Sequence, residues 1–123
     1  MMILADTTVW IDHLRSLDPD MDTLLRSGAI VMHPFVAAEV ALGSLRDRRK
    51  TLAELDSLVA VQVARVGEVR VLIESHALFS RGIGLTDAHL IASCLISPGT
   101  ELWTRDIRLK RVTQTMGIHA NLP

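Results

Sequence analysis

The stretch ILADTTVWIDHL, residues 3–14, sets the terms on which the rest of the chain is read. Counting Met2, an apolar run leads up to one carboxylate, Asp6, and two threonines then open a helical pattern. A short apolar run bounded in this way reads as a buried strand, and the segment after it as a helix. Asp6 therefore stands at the carboxyl end of a strand expected to be buried. Helix capping alone would account for such an acid. The richer reading makes Asp6 one member of a site whose other members lie far along the chain.

The same alternation recurs. Strand-like runs are MILA (2–5), AIVMH (29–33) and ELWT (101–104), with a weaker one at SLVAVQV (57–63) and a last short one at GIHAN (117–121). Helical spacing is expected over 8–15, 21–26, 35–45, 66–79, 86–96 and 107–115. Apolar strands alternating with helices, without hairpin signals, predict an α/β fold with a mainly parallel sheet. Such sheets gather their chemistry outside the carboxyl ends of the strands, at a topological switch point. Asp6 follows the first strand and Asp106 follows ELWT, so both fall on the same sheet edge if the strands are parallel.

A chain of 123 residues fits one domain, taken as 1–123, with room for a real core. Hydrophobic residues are 49% of it and aromatics only 3%, with no Tyr, so the core must be aliphatic and a base-stacking platform is disfavoured. The net charge of −1 provides no global field for nucleic acid. Any such contact must use a local patch, and RDRRK (46–50) and RDIRLKR (105–111) are the candidates, although each alone reads as solvated, helix-favouring surface. The single cysteine, Cys94, forms no intramolecular disulfide, and a reducing compartment fits. The first residues lack the basic region of a signal peptide, and no uncharged run reaches membrane-spanning length. A cytoplasmic protein with no membrane partner is the expectation.

Three further acids sit where an acid needs explaining. Glu39, in FVAAEVALG, has Phe35, Val36, Leu42 and Gly43 as its helical neighbours, so it is expected on an apolar face, in need of a partner or a cavity. Asp87, in GIGLTDAHLIASCLI, falls in the first turn of a helix with Thr86 as the plausible N-cap, and heads the side that carries Leu90, Ile91 and Cys94. Asp106, in WTRDIRLKR, has capping as its bland explanation, as Asp6 does. If the four meet, they cannot do so bare: two unit charges 4 Å apart repel by roughly 4 kcal/mol at an effective dielectric of 20. Oxygen-only ligands select hard ions, Mg²⁺ or Mn²⁺, which activate water and clamp phosphate oxygens. Phosphodiester hydrolysis is the expected chemistry. Thr7, Thr8 and Thr104 stand beside Asp6 and Asp106 in sequence and could position ligands or serve as caps.

With these blocks in hand, the chain resembles the PIN-domain ribonucleases, specifically the VapC toxins of bacterial toxin–antitoxin pairs. LADTTVWIDHLR, FVAAEVALG, GLTDAHLIA and LWTRDIRL are similar to the family's blocks, in the family's order, over nearly the whole chain. The resemblance implies the PIN fold, a central parallel sheet of about five strands flanked by helices. It implies that Asp6, Glu39, Asp87 and Asp106 are both the catalytic residues and the metal ligands, holding Mg²⁺ or Mn²⁺ whose bound water attacks the RNA backbone. It also implies a VapB-type antitoxin as partner and a homodimer. One departure stands out. Some relatives carry a further acid two residues after the last one, and here that residue is Arg108, so a single ion is expected rather than two.

The five histidines, at 13, 33, 76, 89 and 119, lack zinc-site spacing and are expected at the surface or behind the acids. Trp10 and Trp103 are expected in the core or at a dimer interface. Arg15, Arg46, Arg48, Arg49, Arg105 and Arg108 are unranked candidates for steering RNA. Two other classes compete with the nuclease: a non-catalytic PIN-like interaction module, and an acidic-site phosphatase or receiver. The phosphatase would want an acid at Thr8.

Overall fold

The MILA run forms β1 (Met2–Ala5), and its lack of polar alternation follows from its place in the sheet. In the computed structural model, which describes residues 1–123, β1 is an inner strand. Its neighbours are β2 (Ile30–Met32) and β4 (Thr100–Trp103), and β3 (Val59–Ala60) lies beyond β2, giving the order β3-β2-β1-β4 with every pairing parallel. Ile3 stands opposite Ile30 and Glu101, and Ala5 opposite Trp103. An inner parallel strand is covered on both faces, so Ile3, Leu4 and Ala5 are all buried.

Parallel neighbours need crossovers, and helices supply them. In chain order these are α1 (Thr7–Arg15), α2 (Pro19–Arg26), α3 (Pro34–Ala41), α4 (Arg48–Asp56), α5 (Val66–Ser75), α6 (Leu85–Ile96) and α7 (Ile107–Thr115). The order reverses about β1: the chain moves from β1 outward through β2 and β3, then returns to place β4 on the other side. The carboxyl ends of β1 and β4 therefore flank a switch point, where open α/β sheets bind ligands.

The sheet has four strands rather than about five. The GIHAN segment contributes only a single bridge, Leu102 to His119. Its backbone bonds to the sheet are Leu102 N–H to Ile118 O and Leu102 O from Ala120 N–H, too few to continue as a strand. One helix, α4, was not expected. It buries only Leu55, so it carries almost no apolar stripe to be read. Two helices stop short of their expected ends. α3 stops at Ala41, where the Arg48 guanidinium donates to the carbonyls of Ala41 and Gly43; α5 stops at Ser75, shortly before Ala77 turns left-handed at φ 50°.

The core is aliphatic as expected, with Trp10 and Trp103 buried in it. Two histidines are there as well, so neither lies at the surface: His33 and His89 are 0% and 2% exposed. His33 is the N-cap of α3, its Nδ1 accepting from the Phe35 N–H, and its ring packs against those of Phe35 and His89. His89 lies on α6, which is buried without a break from Ala88 to Cys94, and its ring packs on Phe35. Cys94 sits in the same run, and burial pushes its thiol up to about 12, so it behaves as a small core residue.

Candidate acidic site

β1 ends at Ala5, and the next residue turns the chain into α1. Asp6 is the N-cap of that helix, its Oδ1 accepting from the Val9 N–H. Its own N–H donates to Trp103 O, which ties it to the end of β4. Two hydroxyls complete its surroundings: Thr8 donates to Oδ1 and Thr104 donates to Oδ2. Asp6 is 4% exposed, and burial pushes its carboxyl up from the ordinary aspartate value, against the pull of those two hydroxyls and of backbone N–H groups.

The other acids are placed more openly. Asp106 caps α7, its Oδ1 accepting from the Arg108 and Leu109 N–H groups, and its own N–H donates to Thr104 Oγ1. Thr104 thus joins the acid after β1 to the acid after β4. Asp87 lies in the first turn of α6 and accepts from the Gly84 N–H at 3.0 Å. Gly84 rather than Thr86 is the N-cap. Burial pushes the Asp87 carboxyl up, and the charges of Asp6, Asp106 and Glu39 push it further. Glu39 accepts from Thr7 Oγ1 at 2.8 Å. It does not lie on a buried face. It is exposed, and Leu42, three residues on, is 88% exposed, so the α3 edge that carries both is open.

The fold brings Asp6, Asp106 and Glu39 each within electrostatic reach of Asp87, and Thr104 links Asp6 to Asp106 directly. It does not close them: no group of three His, Cys, Asp or Glu side chains forms a ready cage for an ion. The donor chemistry nevertheless fits Mg²⁺ or Mn²⁺. Every candidate ligand is a carboxylate oxygen, and Mg²⁺ keeps several waters and is commonly held by only one or two carboxylates.

The threonines serve the acids, Thr8 and Thr104 on Asp6 and Thr7 on Glu39. Their nearness in sequence to Asp6 and Asp106 was the only signal for it. Arg105, an expected RNA-steering residue, is committed inside the molecule. Its guanidinium pairs with Asp12 and Asp18, donates to the Pro123 carbonyl and lies 5.4 Å from the Trp103 ring centre. The bond from Arg105 holds the Asp18 carboxyl below the usual aspartate range. Its backbone N–H donates to Thr8 Oγ1, the hydroxyl that serves Asp6.

Comparison with known proteins agrees with the fold. The PIN domain profile matches residues 3–114. Two curated relatives are 41% identical to this chain over 117 residues, covering 95% of it and 94% of each relative. They are "Ribonuclease VapC32" from Mycobacterium tuberculosis strain CDC 1551 / Oshkosh and the protein of the same name from strain ATCC 25618 / H37Rv.

Proposed function

The chain belongs to the PIN-domain family and is of the VapC type, and from that premise we propose that it is a metal-dependent endoribonuclease toxin, one PIN domain over 1–123. Its partner would be a VapB-type antitoxin, and its assembly a homodimer. The carrying observation is that Thr104 joins Asp6 to Asp106 at the carboxyl ends of β1 and β4, with the Asp87 carboxyl pushed up by burial and then by the charges of Asp6, Asp106 and Glu39.

These four acids would hold Mg²⁺ or Mn²⁺. When bound, such an ion activates water and neutralises charge on a phosphate in displacement. The protein's own contribution is positioning. Thr8 and Thr104 fix both oxygens of Asp6, so its carboxylate is aimed before any ligand arrives. Thr104 also holds the backbone that presents Asp106. Capping by Gly84 and hydrogen bonding by Thr7 orient Asp87 and Glu39 in turn. Burial disfavours the charged forms of Asp6 and Asp87, and a bound cation would offset that cost.

A second reading, a non-catalytic PIN-like interaction module, draws on the absence of a closed cage of ligands. One experiment separates the two. The purified chain, free of any antitoxin, is incubated with total cellular RNA in Mg²⁺, in Mn²⁺ and in EDTA, beside Asp87→Asn. Asparagine keeps the hydrogen bond to the Gly84 N–H while losing the charge. The nuclease predicts cleavage that EDTA abolishes and Asp87→Asn lowers by about 10²-fold or more, the scale of one lost electrostatic group. Intact RNA with a folded, metal-loaded parent supports the interaction module.

A further inference from the structure

The arginines of this chain differ in what already holds them. Arg105 is bound by two carboxylates and a carbonyl. Arg26 is paired with Asp22, and Arg48 donates to two carbonyls. The Arg108 side chain lies against Gly82, close enough that a Cβ there would meet its Cδ at 2.7 Å. Arg15 and Arg46 are exposed and belong to none of the molecule's salt bridges. Both line one cleft of about 490 Å³ between α1, α3 and the start of α4. Ile11, Leu14 and Leu45 supply its apolar wall, and Glu39 is part of its lining.

We propose that this cleft carries the RNA strand beyond the cleavage point, with Arg15 and Arg46 each taking a backbone phosphate. The proposal rests on the ribonuclease reading above and extends it to the path of the substrate. The argument is one of charge and continuity. Unneutralised guanidinium groups match phosphate in charge and in forked geometry. The only carboxylate in the lining is Glu39, which joins the cleft to the acidic site. A strand engaged at the acids must continue somewhere, and this is the neighbouring cleft with free cations. No aromatic ring lines it, so the contact is to backbone and apolar ribose surface rather than to stacked bases.

The test is binding of a fluorescein-labelled uridine homopolymer across a salt series, read by anisotropy. It is run in the Asp6→Asn background with Mg²⁺, which keeps the RNA intact. For single strands the slope of log K against log salt is about −0.7 for each phosphate neutralised. Arg15→Ala with Arg46→Ala should make that slope shallower by about 1.4. Affinity should fall about tenfold for each arginine removed. Arg70→Ala, on α5 and outside the cleft, should leave the slope unchanged. Should the alanine pair unfold, Arg15→Gln with Arg46→Gln replaces it, judged by the same slope. A slope that does not move overturns the proposal and leaves the cleft to a protein partner, as does an equal change in Arg70→Ala. If the Asp6-intact chain cleaves RNA while the slope is unmoved, only this inference falls. If the chain neither binds nor cleaves RNA, the ribonuclease reading falls with it.

Discussion

The β1–β4 corner and the α3 edge both present an acid to the same cluster, yet they treat it in opposite ways. At the corner, Asp6 is buried, capped onto α1 and held at both oxygens by threonine hydroxyls. At the edge, Glu39 is exposed and has a single hydroxyl partner. Burial opposes the ionisation of Asp6, while the two hydroxyls that fix it favour the charged form and remove the cost of aiming it later. An exposed, loosely held carboxylate must be ordered when a ligand arrives. The contrast divides the site into a rigid anchor and an adjustable arm.

The sharpest way to break that division is to neutralise each acid in turn. Asp6→Asn keeps the α1 cap, since asparagine caps well, and is expected to lower RNA cleavage by about 10²–10³-fold. Glu39→Gln should cost about tenfold, and the loss should be recovered by raising Mn²⁺, as for a ligand whose role is affinity. Equal losses, neither recovered by metal, would erase the distinction.

The next effect concerns the hydroxyl that builds the anchor. Thr104→Val removes the donor to Asp6 Oδ2 and the acceptor of the Asp106 N–H while keeping the side-chain shape. It should cost about 1–3 kcal/mol of stability, measured by urea unfolding. Mn²⁺ affinity, followed by electron paramagnetic resonance, should fall about tenfold or more. Unchanged affinity would show that Thr104 stabilises the fold without aiming Asp6.

The smallest effect tests whether the edge depends on its buried cap. His33 opens α3, the helix that carries Glu39, and burial with the neighbouring His89 pushes its ring down to about 4. Because the unfolded ring titrates near 6.5, the unfolded chain binds more protons between these values. The neutral ring's contribution is therefore complete above about pH 6.5 and is lost as pH falls toward 4, by about 3 kcal/mol in all. Asp6 and Asp87, with raised carboxyls, act in the opposite direction at the low end of this window. His33→Asn retains a capping acceptor without titrating, so the difference between the two melting curves isolates the histidine. Parallel curves from pH 7 to 4 would remove His33 from the account.

Much of this was legible in the sequence because strong local signals and the fold agreed. Met2–Ala5 and Ile107–Thr115 were read to the residue, each having an unbroken apolar or periodic pattern with an acid at its boundary. The places of Asp6, Asp87 and Asp106 at helix starts were legible through their flanks. What was hidden had no local signature. α4 has almost no buried stripe. His89 is buried against rings distant in sequence, those of His33 and Phe35. The roles of Arg105 depend on Asp12 and Asp18, 93 and 87 positions away. Glu39 was misplaced on an apolar face because periodicity says which residues share a side, and not whether anything covers that side.

Three of the four acids have a second occupation. Asp6 and Asp106 are N-caps, and Asp87 closes the first turn of α6. A lineage that abandoned hydrolysis would still be held to capping residues at these three places, since removing such a cap costs about 1 kcal/mol. Aspartates there testify to helix starts as much as to chemistry, and asparagine or serine would cap α1 and α7 equally well. Glu39 caps nothing. Of the four proposed ligands it is the one whose loss would leave every helix start intact, costing only the hydrogen bond from Thr7.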